Sequence, residues 1–152
     1  MKRKLKVYLD TSVISALHDK RNPERKALTE EFFKKMENFE VYISDITVVE
    51  IEKTPDSEIQ NEMKKIITNF SVCSLPEDLE WLINEYMRYG AFSESYKEDA
   101  YHIAVAVLNE LDYLLSWNFK HIVRKKTKDI VRMVNTLNNL HQIEIMTPAE
   151  LL

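Results

Sequence analysis

The chain has 152 residues, of which 45% are hydrophobic and 30% are charged, and its formal net charge is −4. These values predict one folded domain spanning residues 1–152 and exclude a disordered or fibrous chain. The negative net charge argues against binding of nucleic acid through the overall field of the protein, so any such contact has to be local.

Nothing in the sequence resembles a membrane segment or a secretion signal. The longest uninterrupted apolar run, 103–108, is much too short to cross a bilayer, and the basic start, 1–6, lacks the apolar stretch of a signal peptide. A single cysteine, Cys73, can form neither an internal disulfide nor a thiolate zinc site, and we expect it in a buried strand. We therefore expect a cytoplasmic protein with no membrane contact.

Glycine content excludes several classes of enzyme. The chain has one glycine, Gly90, whereas Walker phosphate loops, dinucleotide-binding loops and the Gly-x-Ser-x-Gly nucleophile elbow all need more. No His-Glu-x-x-His motif occurs among the four histidines. The remaining candidate chemistry is that of carboxylates.

Hydrophobic spacing and capping residues predict strands that alternate with helices. The predicted strands are 7–10, 40–43, 71–75, 112–117 and 143–146. The predicted helices lie around 13–17, from 22 to about 38, at 47–53 with Ser44 as cap, at 59–67, at 79–86 closed by Gly90, at 95–111 and at 127–140. Such alternation predicts an α/β fold with a small parallel sheet covered on both faces, since parallel neighbours need crossover connections.

Two polar residues fall at predicted strand ends, where ligands bind in sheets of this kind. Asp10 ends the first strand, and Asn118 follows the fourth, where it is also expected to cap a short turn. A helix cap would be the simple structural role for Asp10. Because Ser12 could cap the same helix, Asp10 has no unique structural task.

Asp99 opens the most apolar helix of the chain. Ser95 and Glu98 match a capping box, so we expect the capping role there to be filled already. An unpaired carboxylate at this position is costly to desolvate and calls for a cation, although interaction with the helix dipole is the simpler alternative.

Glu50 is a carboxylate among apolar residues on a predicted helix, where an ion pair with Lys53 would be the ordinary explanation. In a parallel sheet, Asp10, Glu50 and Asp99 would converge, and clustered carboxylates repel one another unless a divalent cation neutralises them. Oxygen ligands select Mg²⁺ or Mn²⁺ over zinc, and such ions support hydrolysis of phosphodiesters.

Four segments in order resemble PIN-domain nucleases, especially the small prokaryotic members that include VapC-type toxins. The segments are Tyr8-Leu-Asp-Thr-Ser-Val13, 44–50 with Glu50 as the second acidic residue, Glu98-Asp-Ala-Tyr-His-Ile-Ala104, and Leu114-Leu-Ser-Trp-Asn-Phe-Lys-His-Ile122. The resemblance implies a three-layer α/β/α fold, divalent-metal-dependent cleavage of RNA and homodimers. It also implies that Asp10, Glu50 and Asp99 bind the metal and that Ser12 hydrogen-bonds within the site.

The fourth acidic position of that family falls on Asn118, which is a neutral amide. We expect Asn118 to be one of the catalytic and metal-binding residues. This departure predicts weaker binding of a second metal ion and leaves open whether one or two ions bind. Within the basic run 120–132, Lys120, His121 and Arg124 are the candidates for contact with RNA, with a solvated helix face as the alternative. His102 is expected to be a core histidine bonded to a neighbour.

We therefore predict an endoribonuclease that uses Mg²⁺ or Mn²⁺, acts as the toxin of a toxin-antitoxin pair and binds a small antitoxin protein. One alternative is a PIN-like regulatory or binding module whose metal site is weakened by Asn118. A second is a phosphatase with Asp10 as nucleophile, but those enzymes carry another Asp two residues later, where Ser12 stands.

Overall fold

A computed structural model describes residues 3–152, which fold into a parallel sheet and surrounding helices. The strands are β1 (Leu5–Leu9), β2 (Phe39–Ile43), β3 (Ser71–Val72), β4 (Tyr113–Leu115) and β5 (Glu144–Met146). The helices are α1 (Thr11–Ala16), α2 (Pro23–Lys34), α3 (Asp45–Glu52), α4 (Ser57–Ile67), α5 (Leu79–Arg88), α6 (Lys97–Leu108) and α7 (Lys125–Leu137). Short 3₁₀ turns occupy Met36–Asn38, Glu94–Tyr96 and Pro148–Leu151.

The order of strands across the sheet is β3-β2-β1-β4-β5, and all four neighbouring pairs are parallel. Strands β2 and β3 therefore lie on one side of β1, and β4 and β5, which come later in the chain, lie on its other side. The reversal places a crevice at the carboxyl ends of β1 and β4, where sheets of this class bind ligands.

Each face of the sheet is covered by its own hydrophobic core. Tyr8 points to the face where buried residues of α5, α6 and α7 pack, while its neighbours Val7 and Leu9 point to the face covered by α1, α2, α3 and α4. This alternation follows from the two-residue repeat of a strand. The predicted three-layer α/β/α architecture is confirmed.

Helix α6 lies deepest in the structure, as its apolar sequence predicts. Seven of its residues are buried, and they include both a run of aliphatic side chains and His102. Gly90 follows α5 with a φ of 86°, a backbone conformation that glycine adopts readily, and it closes that helix as predicted. No helix within residues 3–152 has both the length and the apolar character that crossing a lipid bilayer requires.

Several predicted boundaries are wrong by a few residues. Strand β1 ends at Leu9, so Asp10 follows the strand and is not its last residue. Strand β3 contains only two residues because it is an edge strand that pairs briefly with β2. Cys73 is buried as predicted but lies just beyond β3, where its N–H donates to the carbonyl of Ile43 at 2.8 Å.

The start of α6 also differs from the prediction. Ser95 lies inside a 3₁₀ turn, and the N-cap residue of α6 is Tyr96, whose side chain caps none of the N–H groups of this fully described helix. The predicted capping box of Ser95 and Glu98 is therefore wrong. The first turn of α6 instead carries Glu98 and Asp99, whose charges the helix dipole favours.

Candidate active site

Asp10 follows β1 directly and occupies the N-cap position of α1, but its side chain caps none of the N–H groups of this fully described helix. The residue is only 4% exposed. Its Oδ1 accepts a hydrogen bond from the Ser12 hydroxyl, and its Oδ2 accepts one from the Ser116 hydroxyl at 2.6 Å. Burial raises the pKa of Asp10, and the charge of Glu50 adds to the rise. Helix capping therefore does not explain this carboxylate.

Ser12 and Ser116 join the loops that follow β1 and β4. The Ser12 hydroxyl accepts a hydrogen bond from the N–H of Trp117 at 2.9 Å, and the Ser116 hydroxyl accepts one from the N–H of Asn118 at 2.9 Å. The two hydroxyls thus donate to Asp10 and accept from the backbone beyond β4. Ser12 does not cap α1, contrary to the alternative considered from the sequence.

Glu50 projects from α3 into a chain of hydrogen bonds. Its Oε1 accepts from the Thr11 hydroxyl at 2.6 Å and lies 2.7 Å from Nε2 of His102. The other ring nitrogen of His102 is 2.6 Å from the hydroxyl of Tyr8, which in turn is 2.7 Å from that of Ser44. Burial acts to raise the pKa of Glu50, but the contact with His102 and the hydrogen bond from Thr11 act in the opposite direction, and the pKa lies below its usual range. The same contact raises the pKa of His102 although burial opposes it.

Asp99 lies in the first turn of α6 and is partly buried. Among residues 3–152, no donor forms a hydrogen bond with its carboxylate. Burial, together with the negative charges of Asp10, Glu50 and Glu98, raises the pKa of Asp99 to about 6 against the effect of His102. An ionised Asp99 is therefore costly in this environment unless a cation accompanies it.

The three acidic residues lie at one site. Asp10, Glu50 and Asp99 come from the end of β1, from α3 and from α6, and the charges of Asp10 and Glu50 both act on Asp99. The alternative partner of Glu50 is engaged elsewhere, because Lys53 Nζ lies 3.7 Å from Oε1 of Glu98. Asp10 and Glu50 are therefore near enough to Asp99 for their charges to act on it, and joint metal binding by the three residues stays a prediction.

The donor chemistry of the site fits a divalent cation. Carboxylate oxygens are the hard ligands that Mg²⁺ and Mn²⁺ prefer. No group of three or more His, Cys, Asp or Glu side chains within residues 3–152 is arranged so that it could hold a metal ion. Mg²⁺ is commonly held through one or two carboxylates with water in its remaining positions, and such a site does not need a group of three.

Asn118 stands three residues beyond β4, at the same edge of the sheet. Its Oδ1 accepts a hydrogen bond from the N–H of His121 at 3.0 Å, so it closes the short turn as predicted. This bond occupies part of the acceptor capacity that Asn118 could offer to a metal ion.

The candidate residues for contact with RNA, Lys120, His121 and Arg124, follow Asn118 in the chain. Lys120 is exposed and His121 is half-buried. Burial lowers the pKa of His121, and the positive charges of Arg124 and Lys120 add to the effect. Arg124 is engaged within the protein, because its guanidinium donates to Thr127 Oγ1 at 2.8 Å and to the carbonyl of Ala91 at 2.6 Å. The turn therefore has a positive local environment, but Arg124 is also a structural anchor.

Several polar residues of the site were not singled out from the sequence. Ser116 and Thr11 hydrogen-bond to the candidate carboxylates, and Tyr8 holds the far side of His102. His102 is buried and bonded to neighbours, as predicted for a core histidine, but one of these neighbours is Glu50. An available signal was the position of Ser116 near the end of a predicted strand, two residues before Asn118.

Comparison with known proteins agrees with this geometry. The family model described as PIN domain matches residues 7–118, about three quarters of the chain, and the matched range contains Asp10, Glu50, Asp99 and Asn118. A search of curated proteins found no match. PIN domains are generally nucleases that act on nucleic acids with divalent metals. Because the match covers most of the chain, this protein belongs to the PIN-domain family.

Proposed function

We propose that this protein is an endoribonuclease that depends on Mg²⁺ or Mn²⁺. The observation that supports the proposal is electrostatic: the charge of Glu50 acts on Asp10, and the charges of Asp10 and Glu50 both act on the partly buried Asp99. Like charges in a partly buried site favour a cation, and a nuclease needs one beside the phosphate that it cleaves.

The proposal assigns the metal to the carboxylates of Asp10, Glu50 and Asp99, with Asn118 as a neutral fourth residue. When bound, a divalent cation supplies charge neutralisation at the phosphodiester and a lowered pKa for an attacking water. Ser12 and Ser116 hold both oxygens of Asp10, and His102 with Thr11 holds Oε1 of Glu50. These bonds orient the carboxylates before the substrate arrives, which is how outer residues support a metal site.

Asp99 has a different part in the proposed mechanism. Its raised pKa means that it gains most from a cation, because the ion offsets both its burial and the repulsion from Asp10 and Glu50. On the substrate side, Lys120 and His121 are proposed to face the RNA backbone, with Arg124 shaping the same turn.

A cleavage assay on the purified protein tests this function. We expect RNA to be cut in Mg²⁺ or Mn²⁺, to stay intact with excess EDTA, and to be cut at least about 100-fold more slowly by Asp99→Asn. Glu37→Gln is the matched control. Glu37 is exposed and lies just before β2, at the amino ends of the parallel strands, whereas the candidate site lies at their carboxyl ends. Equal cleavage by wild type and Asp99→Asn would contradict the proposal.

The biological part of the proposal is that the protein acts in the cytoplasm as the toxin of a toxin-antitoxin pair and forms a homodimer. Induced expression of the wild type should arrest growth of a bacterial host, whereas Asp10→Asn at the same protein level should not. Purification from the native cells should recover a small bound protein, and light scattering should give twice the mass of one chain. Harmless expression of a cleavage-competent wild type would remove the toxin role but leave the nuclease.

One observation favours the alternative of a regulatory or binding module. Asn118 brings no charge, and its Oδ1 already accepts the N–H of His121. If this alternative holds, the protein binds RNA equally in Mg²⁺ and in EDTA and cuts it in neither. The cleavage assay therefore distinguishes the two functions.

A further inference from the structure

A surface pocket of about 340 Å³ lies between the two segments that carry Asp99 and Asn118. Tyr96, three residues before Asp99, and His121, three residues after Asn118, stack on each other in one wall of this pocket. The N–H of His121 donates to Oδ1 of Asn118, so this wall of the pocket is tied directly to the candidate active site. The pocket is therefore linked to the candidate active site through Asn118.

Two aromatic rings form a flat platform in this pocket. The rings of Tyr96 and His121 are stacked, with centroids 3.8 Å apart and an angle of 28° between their planes. Tyr96 is 43% exposed although it is a large aromatic residue, and His121 stacks against one face of its ring. Exposed aromatic rings of this kind are the surfaces on which unpaired nucleobases stack.

Positive charge surrounds the platform. Lys126 lines the pocket and Lys120 precedes His121, and neither lysine forms an ion pair with any described residue. Lys125, by contrast, is paired with Asp129, and the guanidinium of Arg124 is held by protein acceptors. Lys120 and Lys126 are therefore the two cations of this turn that remain available for phosphate.

We propose that this pocket is a nucleotide subsite that holds one unpaired nucleotide of the RNA beside the cleaved bond. The base stacks on Tyr96, supported by His121, while Lys120 and Lys126 contact the flanking phosphates. The inference rests on the proposed nuclease function and adds the residues that bind substrate next to the carboxylates. Tyr96 takes part although it lies outside the basic run that the sequence analysis considered.

The test measures binding separately from cleavage. A fluorescent single-stranded oligoribonucleotide of about ten nucleotides is titrated with the full chain in EDTA, and anisotropy gives the Kd. Tyr96→Leu should weaken binding about tenfold, whereas Tyr96→Phe, which keeps the stack, should bind like the wild type. Lys126→Ala should weaken binding and lower the salt slope by about one, because one phosphate contact is lost.

Lys35→Ala is the matched charge control. Lys35 is exposed and lies between α2 and β2, at the amino ends of the strands, whereas the site lies at their carboxyl ends. It should leave the Kd unchanged. In the cleavage assay, Tyr96→Leu should raise KM and leave kcat within about twofold, as expected for a contact that binds substrate and transition state equally.

Wild-type affinity in folded Tyr96→Leu, or equal weakening by Lys35→Ala and Lys126→Ala, overturns the subsite. If Tyr96→Leu fails to fold, the comparison of Lys126→Ala with Lys35→Ala still decides the outcome. Binding that depends on Tyr96 without metal-dependent cleavage keeps the subsite and rejects the nuclease. Cleavage that depends on Asp99 with no effect of Tyr96→Leu on KM rejects the subsite alone.

Discussion

Glu50 and Asp99 belong to the same candidate site, but their surroundings differ. Glu50 accepts hydrogen bonds from Thr11 and pairs with His102, and its pKa lies below the usual range although burial opposes this. Asp99 has no hydrogen-bond partner within residues 3–152, and burial and neighbouring carboxylates raise its pKa to about 6. One carboxylate is thus already stabilised by the fold, and the other is not.

This difference suggests that Glu50 and Asp99 have different roles in binding a metal ion. A hydrogen-bonded carboxylate keeps one geometry, which favours precise placement of an ion. A carboxylate without partners contributes binding energy when the ion arrives, because its unfavourable environment is relieved. Substitutions at Glu50, Asp99 and Ser116 test this difference, and the largest effect is expected on catalysis.

The largest expected effect is on cleavage. Glu50→Gln and Asp99→Asn each remove one proposed metal ligand without changing side-chain size, and each should lower kcat/KM for RNA about 10³-fold in Mn²⁺. Gel-based cleavage of one labelled RNA measures both variants beside Glu37→Gln, which should retain wild-type activity. If only one of the two variants loses activity, the residues do not form a single metal site.

The sequence was sufficient to predict the layered fold and the place of Asp10 at the carboxyl end of the first strand. Strand length and the apolar run before Asp10 indicated a buried parallel strand, and this strand is central in the sheet. Edge strand β3 was predicted too long because its pairing with β2 depends on tertiary contacts that local composition does not encode. Ser95 was wrongly predicted as a cap because a 3₁₀ turn extends the chain ahead of α6.

The hydrogen bonds of the site could not be predicted from spacing in the sequence. Leu9 pairs with Leu115, and this register is what brings Ser116 beside Asp10 across more than one hundred residues. The contact of His102 with Glu50 likewise depends on how α3 packs against α6. Such contacts follow from register and packing, which only the folded chain defines.

A smaller effect is expected from Ser116. Ser116→Ala removes the donor to Oδ2 of Asp10 and leaves the N–H of Asn118 without its acceptor, so it should lower the affinity for Mn²⁺ and kcat/KM by about 10- to 100-fold. Titration of activity with Mn²⁺ measures the shift, and Ser71→Ala on edge strand β3 is the control, since Ser71 is exposed. Recovery of activity at high Mn²⁺ would identify Ser116 as a positioning residue, whereas unchanged Mn²⁺ dependence would contradict that role.

The smallest expected effect is on thermal stability, where substitution of Glu50 and substitution of Asp99 should change the Tm in opposite directions. A lowered pKa in the folded state stabilises the protein above the unfolded pKa, so at pH 8 in EDTA Glu50→Gln should melt below the wild type. Asp99 has a raised pKa in the folded state, so its effect on stability has the opposite sign. Asp99 stabilises the protein fully below about pH 4, and this stabilisation is lost as the pH rises through about 6. Asp99→Asn should therefore raise the Tm at pH 8 by on the order of 2–5 °C and lose this advantage as the pH falls toward 4.

Adding Mg²⁺ at pH 8 provides the decisive comparison for Asp99. The ion should raise the Tm of the wild type more than that of Asp99→Asn, because only the wild type has the carboxylate whose cost the ion relieves. Differential scanning fluorimetry of wild type, both variants and Glu37→Gln measures all four responses. A lower Tm for Asp99→Asn at pH 8 in EDTA would mean that Asp99 is stabilised by the fold as Glu50 is, and that the site does not need a cation to keep its carboxylates together.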